Sequence, residues 1–214
     1  MSMDNDADRF AGPALAAGDP TGWFDRLYQE AADGRATVPW DRPTPSSGLD
    51  SAGLPAGAGM TALVVGCGLG RDAEFVAGLG YATTAFDISP TAVRDCRARH
   101  PRSRVDYVVA DLLDLPGRWA QGFDLVVESN TVQALPRTLR ARASAAVGSL
   151  LAPGGTLLVL AAATAEATPD GPPWPLTADE MESFATGGVR VVSISSLPSA
   201  DARFATRWRA IFTR

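Results

Sequence analysis

Thr61-Ala-Leu-Val-Val-Gly-Cys-Gly-Leu-Gly-Arg-Asp72 decides the fold of this chain. An apolar run this short, closed by alternating glycines, reads as a buried parallel strand turning into a helix. Glycine suits such a turn because it takes positive φ and lets backbone approach a ligand. The spacing is Gly66-x-Gly68-x-Gly70, and Arg71 stands where a dinucleotide loop needs its third glycine. An arginine cannot pack against a strand in place of a hydrogen, which disfavours a nicotinamide oxidoreductase. No Gly-Lys-Ser/Thr follows, and the chain has no lysine, so a P-loop is excluded. The pattern fits a nucleoside-bearing ligand without a pyrophosphate.

The segments downstream repeat the alternation. After a helical stretch at 71–80, Tyr81–Asp87 reads as a second strand ending in an acid. Asp87 lies about 20 residues beyond the glycines, where a carboxylate accepts ribose hydroxyls. Val105–Asp111 reads as a third strand, also ending in an acid, and Asp111 is placed to accept from an adenine amino group. Phe123–Glu128 and Leu151–Leu160 read as a fourth and fifth strand. Val189–Ser196 and Arg203–Thr213 are close enough in sequence to pair as an antiparallel hairpin. Thr177 and Glu180 have capping-box spacing at a helix start.

With VVGCGLGRD, AFDIS, ADLLDLP, FDLVVE and LLAPGGTLLVL in this order, residues 60–164 resemble class I S-adenosylmethionine (SAM)-dependent methyltransferases. The resemblance implies an α/β three-layer sandwich, the Rossmann-like methyltransferase fold. Its mostly parallel sheet has seven strands, with the last strand antiparallel between the fifth and sixth. It implies SAM as cofactor, S-adenosylhomocysteine as product and no metal. It implies that the Gly66–Gly70 loop, with Gly66, Cys67, Gly68 and Gly70, holds the methionine portion of the donor, that Asp87 binds the ribose and that Asp111 lies near the adenine, with Asp72, Ile88 and Leu112 also expected to bind the cofactor. Glu128 either binds the donor amino group or ends its strand.

The flanks resemble thiopurine, thiol and halide methyltransferases more narrowly. Gly22-Trp-Phe-Asp-Arg-Leu-Tyr-Gln-Glu30 and Val38-Pro-Trp-Asp-Arg-Pro-Thr-Pro45 are similar to their amino-terminal lid, and Gly171-Pro-Pro-Trp174 to a segment bordering their substrate pocket. By this resemblance Trp23 and Trp40 sit over the donor and Trp174 borders the acceptor. All three could cap a sulfonium through cation–π attraction. Asn130 and Gln133 lie on the acceptor side. The stretch Glu128-Ser-Asn-Thr-Val-Gln133 matches neither the thiopurine nor the halide pattern, and Tyr28 replaces a common second tryptophan. The resemblance therefore leaves the acceptor open.

The expected chemistry is in-line methyl transfer to a small molecule. A thiol needs little general base. A harder oxygen nucleophile would need one, and Glu128 or Asp41 are the candidates, with Trp40 closing the site. Oxygen or nitrogen methylation of a metabolite, or a non-catalytic SAM-binding module, are the alternatives.

Composition bounds the rest. The chain has 214 residues and a net charge of −5, which argues against a broad nucleic-acid surface. The arginines 94, 97, 99, 102 and 104 read as a solvated helix face. Cys67 and Cys96 suit a reducing compartment without a disulfide, and Met1–Phe10 lacks a signal-peptide core. A cytoplasmic monomer or weak homodimer, without membrane or nucleic-acid partner, is expected. Residues 1–21 read as a flexible tail. Residues 22–214 read as one domain: a lid at 22–60, carrying a short helix at 23–32 and the prolines 39, 43, 45 and 55, the SAM core at 61–164, and a substrate loop with terminal hairpin at 165–214.

Overall fold

The run at 61–65 is strand β1 (Thr61–Val65), buried on both faces near the centre of a seven-stranded sheet. The computed structural model describes residues 6–167, 171–199, 201 and 203–214. The remaining strands are β2 (Ala82–Asp87), β3 (Asp106–Val109), β4 (Phe123–Ser129), β5 (Leu151–Ala162), β6 (Arg190–Pro198) and β7 (Thr206–Thr213), in the order β3-β2-β1-β4-β5-β7-β6. β1 to β5 are parallel, and β7 runs antiparallel between β5 and β6. This is the expected Rossmann-like methyltransferase sheet.

Helices cover both faces. α3 (Arg71–Gly78) and α4 (Pro90–Arg99) enclose one core with Ala62, Val64, Val76, Val93 and Cys96. α5 (Arg137–Ser149) and α6 (Ala178–Glu182) enclose the other with Leu63, Val126, Val147, Leu157, Met181 and Phe212. Strands buried on both faces need near-continuous apolar sequence, which Leu157–Ala162 supplies. Ser89 caps α4 by accepting from the Ala92 N–H, and Thr177 and Glu180 form the expected capping box.

Two readings of the sequence need correction. The expected third strand stops at Val109, because Asp111 turns the chain: its Oδ1 accepts from the Leu113 N–H at 2.8 Å. The expected flexible tail at 1–21 holds helix α1 (Asp6–Ala16), while residues 1–5 lie outside the described residues. Ala7, Ala11 and Ala14 fall on one face of α1 and pack with Trp23 and Leu27 of α2 (Gly22–Ala32). Small residues let the two helices approach closely. Tertiary packing thus overrides the breaking tendency of Gly12 and Pro13.

Candidate functional site

Register brings the strand tips together. Val65 pairs with Phe86 on one side and Glu128 on the other, so the Gly66–Gly70 loop, Asp87 and the Ser129–Thr131 turn emerge side by side. The strand order reverses between β1 and β4, the place where open α/β sheets bind ligands. A cavity of about 260 Å³ lies there, floored by Gly66–Leu69, Asp87, Ile88 and Asp111–Leu113 and roofed by Trp40.

The glycines answer to protein neighbours. Gly66 has φ +58°, and a Cβ on it would fall 2.7 Å from Thr131 Cγ2. Gly68 has φ +54°, with the Tyr28 hydroxyl 3.0 Å from a would-be Cβ. Tyr28 accepts a 2.7 Å hydrogen bond from Trp40 Nε1, so the lid aromatics sit directly over the loop. Burial, and then the Asp87 carboxylate, hold the Tyr28 phenol well above its usual range, so it stays neutral.

Asp87 is 7% exposed. Its Oδ2 accepts from the Gly68 N–H and its Oδ1 from the Ser89 N–H, both at 2.9 Å. Burial raises its pKa, and these N–H groups oppose the rise. Beneath the loop, the Cys96 thiol donates to the Gly68 carbonyl at 3.0 Å. Cys67 and Cys96 are free and buried, and the neighbouring Cys96 thiol, followed by burial, pushes the Cys67 thiol well up.

The lid is tied to the core at several points. Asp25 of α2 accepts from Ser89 Oγ at 2.6 Å and from the Thr91 N–H at 3.0 Å. Asp41 pairs with both terminal nitrogens of Arg99, at 3.0 and 2.9 Å. Arg71 donates to the Trp40 and Arg42 carbonyls. Arg42 reaches Asp201 beyond β6. Asp72, expected near the donor, accepts from the Ser46 N–H and hydroxyl at 2.8 and 2.6 Å. It lines the cavity, yet both its oxygens serve the lid.

On the acceptor side, Glu128 is fully buried and is not among the cavity-lining residues. Its Oε1 accepts from the Thr131 and Val132 N–H groups at 2.7 and 3.0 Å, and Oε2 has no partner. Burial raises its pKa from 4.5 to about 7, against the N–H bonds and the charge of Arg207. The carboxylate therefore shapes the turn from below. Asn130 and Gln133 do line the cavity. Asn130 has φ +63°. Gln133 Oε1 accepts from the Ala162 N–H, and its carbonyl accepts from the Trp174 N–H. Trp174 is 8% exposed and is not among the lining residues; Pro172 and Pro173 line the wall instead. Of the lid tryptophans, Trp23 and Trp40 both line the cavity, and Trp23 stacks on Phe24 at 3.9 Å. The candidate base Asp41 is held by Arg99, so that arginine is a lid anchor and not merely part of a solvated face. His100 caps α4 at its carboxyl end and does not line the cavity.

Sequence reasoning gave no role to Tyr28, Ser46, Thr131 or Arg207. Tyr28 carried a signal only as standing where a second tryptophan is common, Thr131 only within the stretch Glu128–Gln133, and Arg207 only within the tail Arg207–Phe212 that resembles the same family. Among the described residues there is no group of three or more His, Cys, Asp or Glu placed to hold a metal, and no helix is long and apolar enough to cross a membrane.

Comparisons agree with this geometry. Residues 62–155 match a family model described as a methyltransferase domain. A ubiquinone biosynthesis O-methyltransferase of Xanthomonas axonopodis pv. citri is 39% identical over 105 residues, 48% of this chain. The match covers 43% of that relative, so the chain spans less than half the length of the curated relatives it matches. A solved structure concerning the conversion of a disulfide bond into a thioacetal group during echinomycin biosynthesis is 25% identical, with TM-score 0.69 over 89% of this chain and 92% of that one. The N-methyltransferase NodS of Bradyrhizobium japonicum, in complex with S-adenosyl-L-homocysteine, shares the fold at 22% identity, with TM-score 0.65 over 88% of this chain and 98% of that one. Sheet order and strand-tip geometry are those of the Rossmann-like methyltransferase fold, and residues 62–155 are similar to methyltransferase domains.

Proposed function

We propose that this protein transfers a methyl group from SAM to a small acceptor that ionises easily or reacts without a strong base, a thiol foremost. The observation carrying this is the state of the cavity carboxylates. Asp41 is held by Arg99, Asp72 by Ser46, and Asp201 by Arg42 and Arg203. Asp87 is held by two backbone N–H groups. None of these four keeps an uncommitted oxygen to deprotonate a hard alcohol, and the fifth cavity carboxylate, Asp111, keeps only the oxygen that this reading gives to the adenine, whereas sulfur is nucleophilic at neutral pH.

When bound, SAM supplies an electrophilic methyl on a sulfonium. The residues present fit that donor: the Gly66–Gly70 loop for its methionine end, Asp87 with Ile88 for the ribose, and Asp111 with Leu112 for the adenine. Asp111 keeps Oδ2 outside its turn bond for an amino group. Trp40, fixed by Tyr28, closes the roof and excludes water, so that positioning does much of the work. The similarity to the structure concerned with turning a disulfide bond into a thioacetal group in echinomycin biosynthesis supports a sulfur acceptor. A second reading, O-methylation of an acidic phenol, is favoured by the ubiquinone biosynthesis O-methyltransferase relatives. Two free cysteines fit work in a reducing compartment.

A turnover screen over thiols, thiopurines, halides and phenols, reading S-adenosylhomocysteine release, tests the acceptor. Turnover confined to phenols would reject the sulfur reading, and SAM binding without turnover on any of them would favour a non-catalytic module. Asp87→Ala should weaken SAM binding at least tenfold in calorimetry. Unchanged affinity would remove the ribose assignment.

A further inference from the structure

Arg207 opens β7 beside the tip of β5, paired with Ala162, and its side chain lines the acceptor half of the cavity. It is 8% exposed. Its one side-chain hydrogen bond among the described residues is a long one, Nη2 to Asn130 Oδ1 at 3.5 Å, and its buried Nε has no partner. It forms no ion pair within 4.0 Å among the described residues. Asp72, Glu128 and Asp201 act on it only through space, and a guanidinium withdrawn from water without a contacting ion-pair partner is costly to keep.

The acids around it are committed elsewhere. Asp72 accepts twice from Ser46, and Asp201 is shared by Arg42 and Arg203. Glu128 turns Oε1 to the Thr131 and Val132 N–H groups; its Oε2 has no partner but makes no ion pair with Arg207 within 4.0 Å, and burial disfavours its charged form. The other cavity arginines are partnered: Arg42 and Arg203 by Asp201, and Arg71 by two lid carbonyls and by Asp72 at 3.8 Å. Arg207 is therefore the cation in this wall that lacks an acceptor of its own.

We propose that Arg207 is a specificity-determining residue that binds a carboxylate carried by the methyl acceptor. A planar guanidinium suits a carboxylate by fork geometry, and the charge-assisted bonds would replace the solvation that Arg207 has lost. A negative acceptor is also drawn toward a sulfonium. This inference rests on the cavity being the donor–acceptor site. One competing source of the same anion is the donor's own carboxylate, and the experiment separates the two.

The protein saturated with S-adenosylhomocysteine is titrated calorimetrically with 4-mercaptobenzoate and with 4-mercaptobenzamide. The unaltered protein should bind the carboxylate at least tenfold more tightly than the amide. Arg207→Gln should abolish that preference while leaving the S-adenosylhomocysteine Kd within twofold. Arg207→Lys, which keeps charge and loses the fork, should retain an intermediate preference, and it carries the test if the glutamine variant does not fold. Equal binding of the two probes, binding of neither, or a preference that survives Arg207→Gln overturns the proposal. So does a tenfold loss of S-adenosylhomocysteine affinity in Arg207→Gln, which would give the guanidinium to the donor. Failure of the unaltered protein to bind S-adenosylhomocysteine would instead overturn the donor-site reading itself.

Discussion

Glu128→Gln offers the sharpest check on the electrostatics of the strand tips. Burial lifts the Glu128 carboxyl from 4.5 to about 7 in the folded protein. Folding then favours the protonated form. The stability this gives is fully present below pH 4.5 and is lost as pH rises through about 7. A rise of this size corresponds to about 3 kcal/mol between pH 4 and pH 8. Glutamine keeps an oxygen to accept from Thr131 and Val132 and cannot ionise. The variant should lack this component of the slope, so that the stability difference between the two proteins changes by about 3 kcal/mol across the range. In a chain of this size that is roughly 6–12 °C in Tm. Urea unfolding of both proteins at half-unit pH intervals measures it. Parallel stability curves from pH 4 to pH 8 would refute the argument, because they would mean that Glu128 titrates alike folded and unfolded.

Two further outcomes follow from contacts at the loop and the lid. Gly66→Ala should cost about 2–4 kcal/mol, from positive φ and overlap with Thr131. Thr131→Ala should recover the overlap share, which a double-mutant cycle in urea detects as non-additivity; strict additivity would deny the contact. Arg99→Ala should free Asp41 and speed protease nicking in the 34–45 lid, by at most about fivefold since the pair is partly exposed. Unchanged nicking would show that the ion pair does not hold the lid.

Parallel strands with acidic tips, and the terminal hairpin, were legible because each depends on local pattern: uninterrupted apolar runs, a glycine turn, Asp87 closing a strand. The capping box at Thr177 was legible for the same reason. What stayed hidden depends on neighbours distant in sequence. Ala7, Ala11 and Ala14 form a packing face only because α2 presents Trp23 and Leu27 to them. Asp41 and Glu128 look like bases in the sequence, and only the fold shows Arg99 and the Thr131 turn claiming them. Trp174 reads as a pocket aromatic, but Pro172 and Pro173 line the wall instead. The sequence gives Arg207 no role of its own, since its importance lies in lacking the contacting acceptor that the other cavity arginines have found.

The abutment of Thr131 on Gly66 limits how such a protein can diversify. A bulkier residue at 131 would press on the Gly66–Gly70 turn, so tailoring the pocket there would disturb the donor subsite proposed for that turn at the same time.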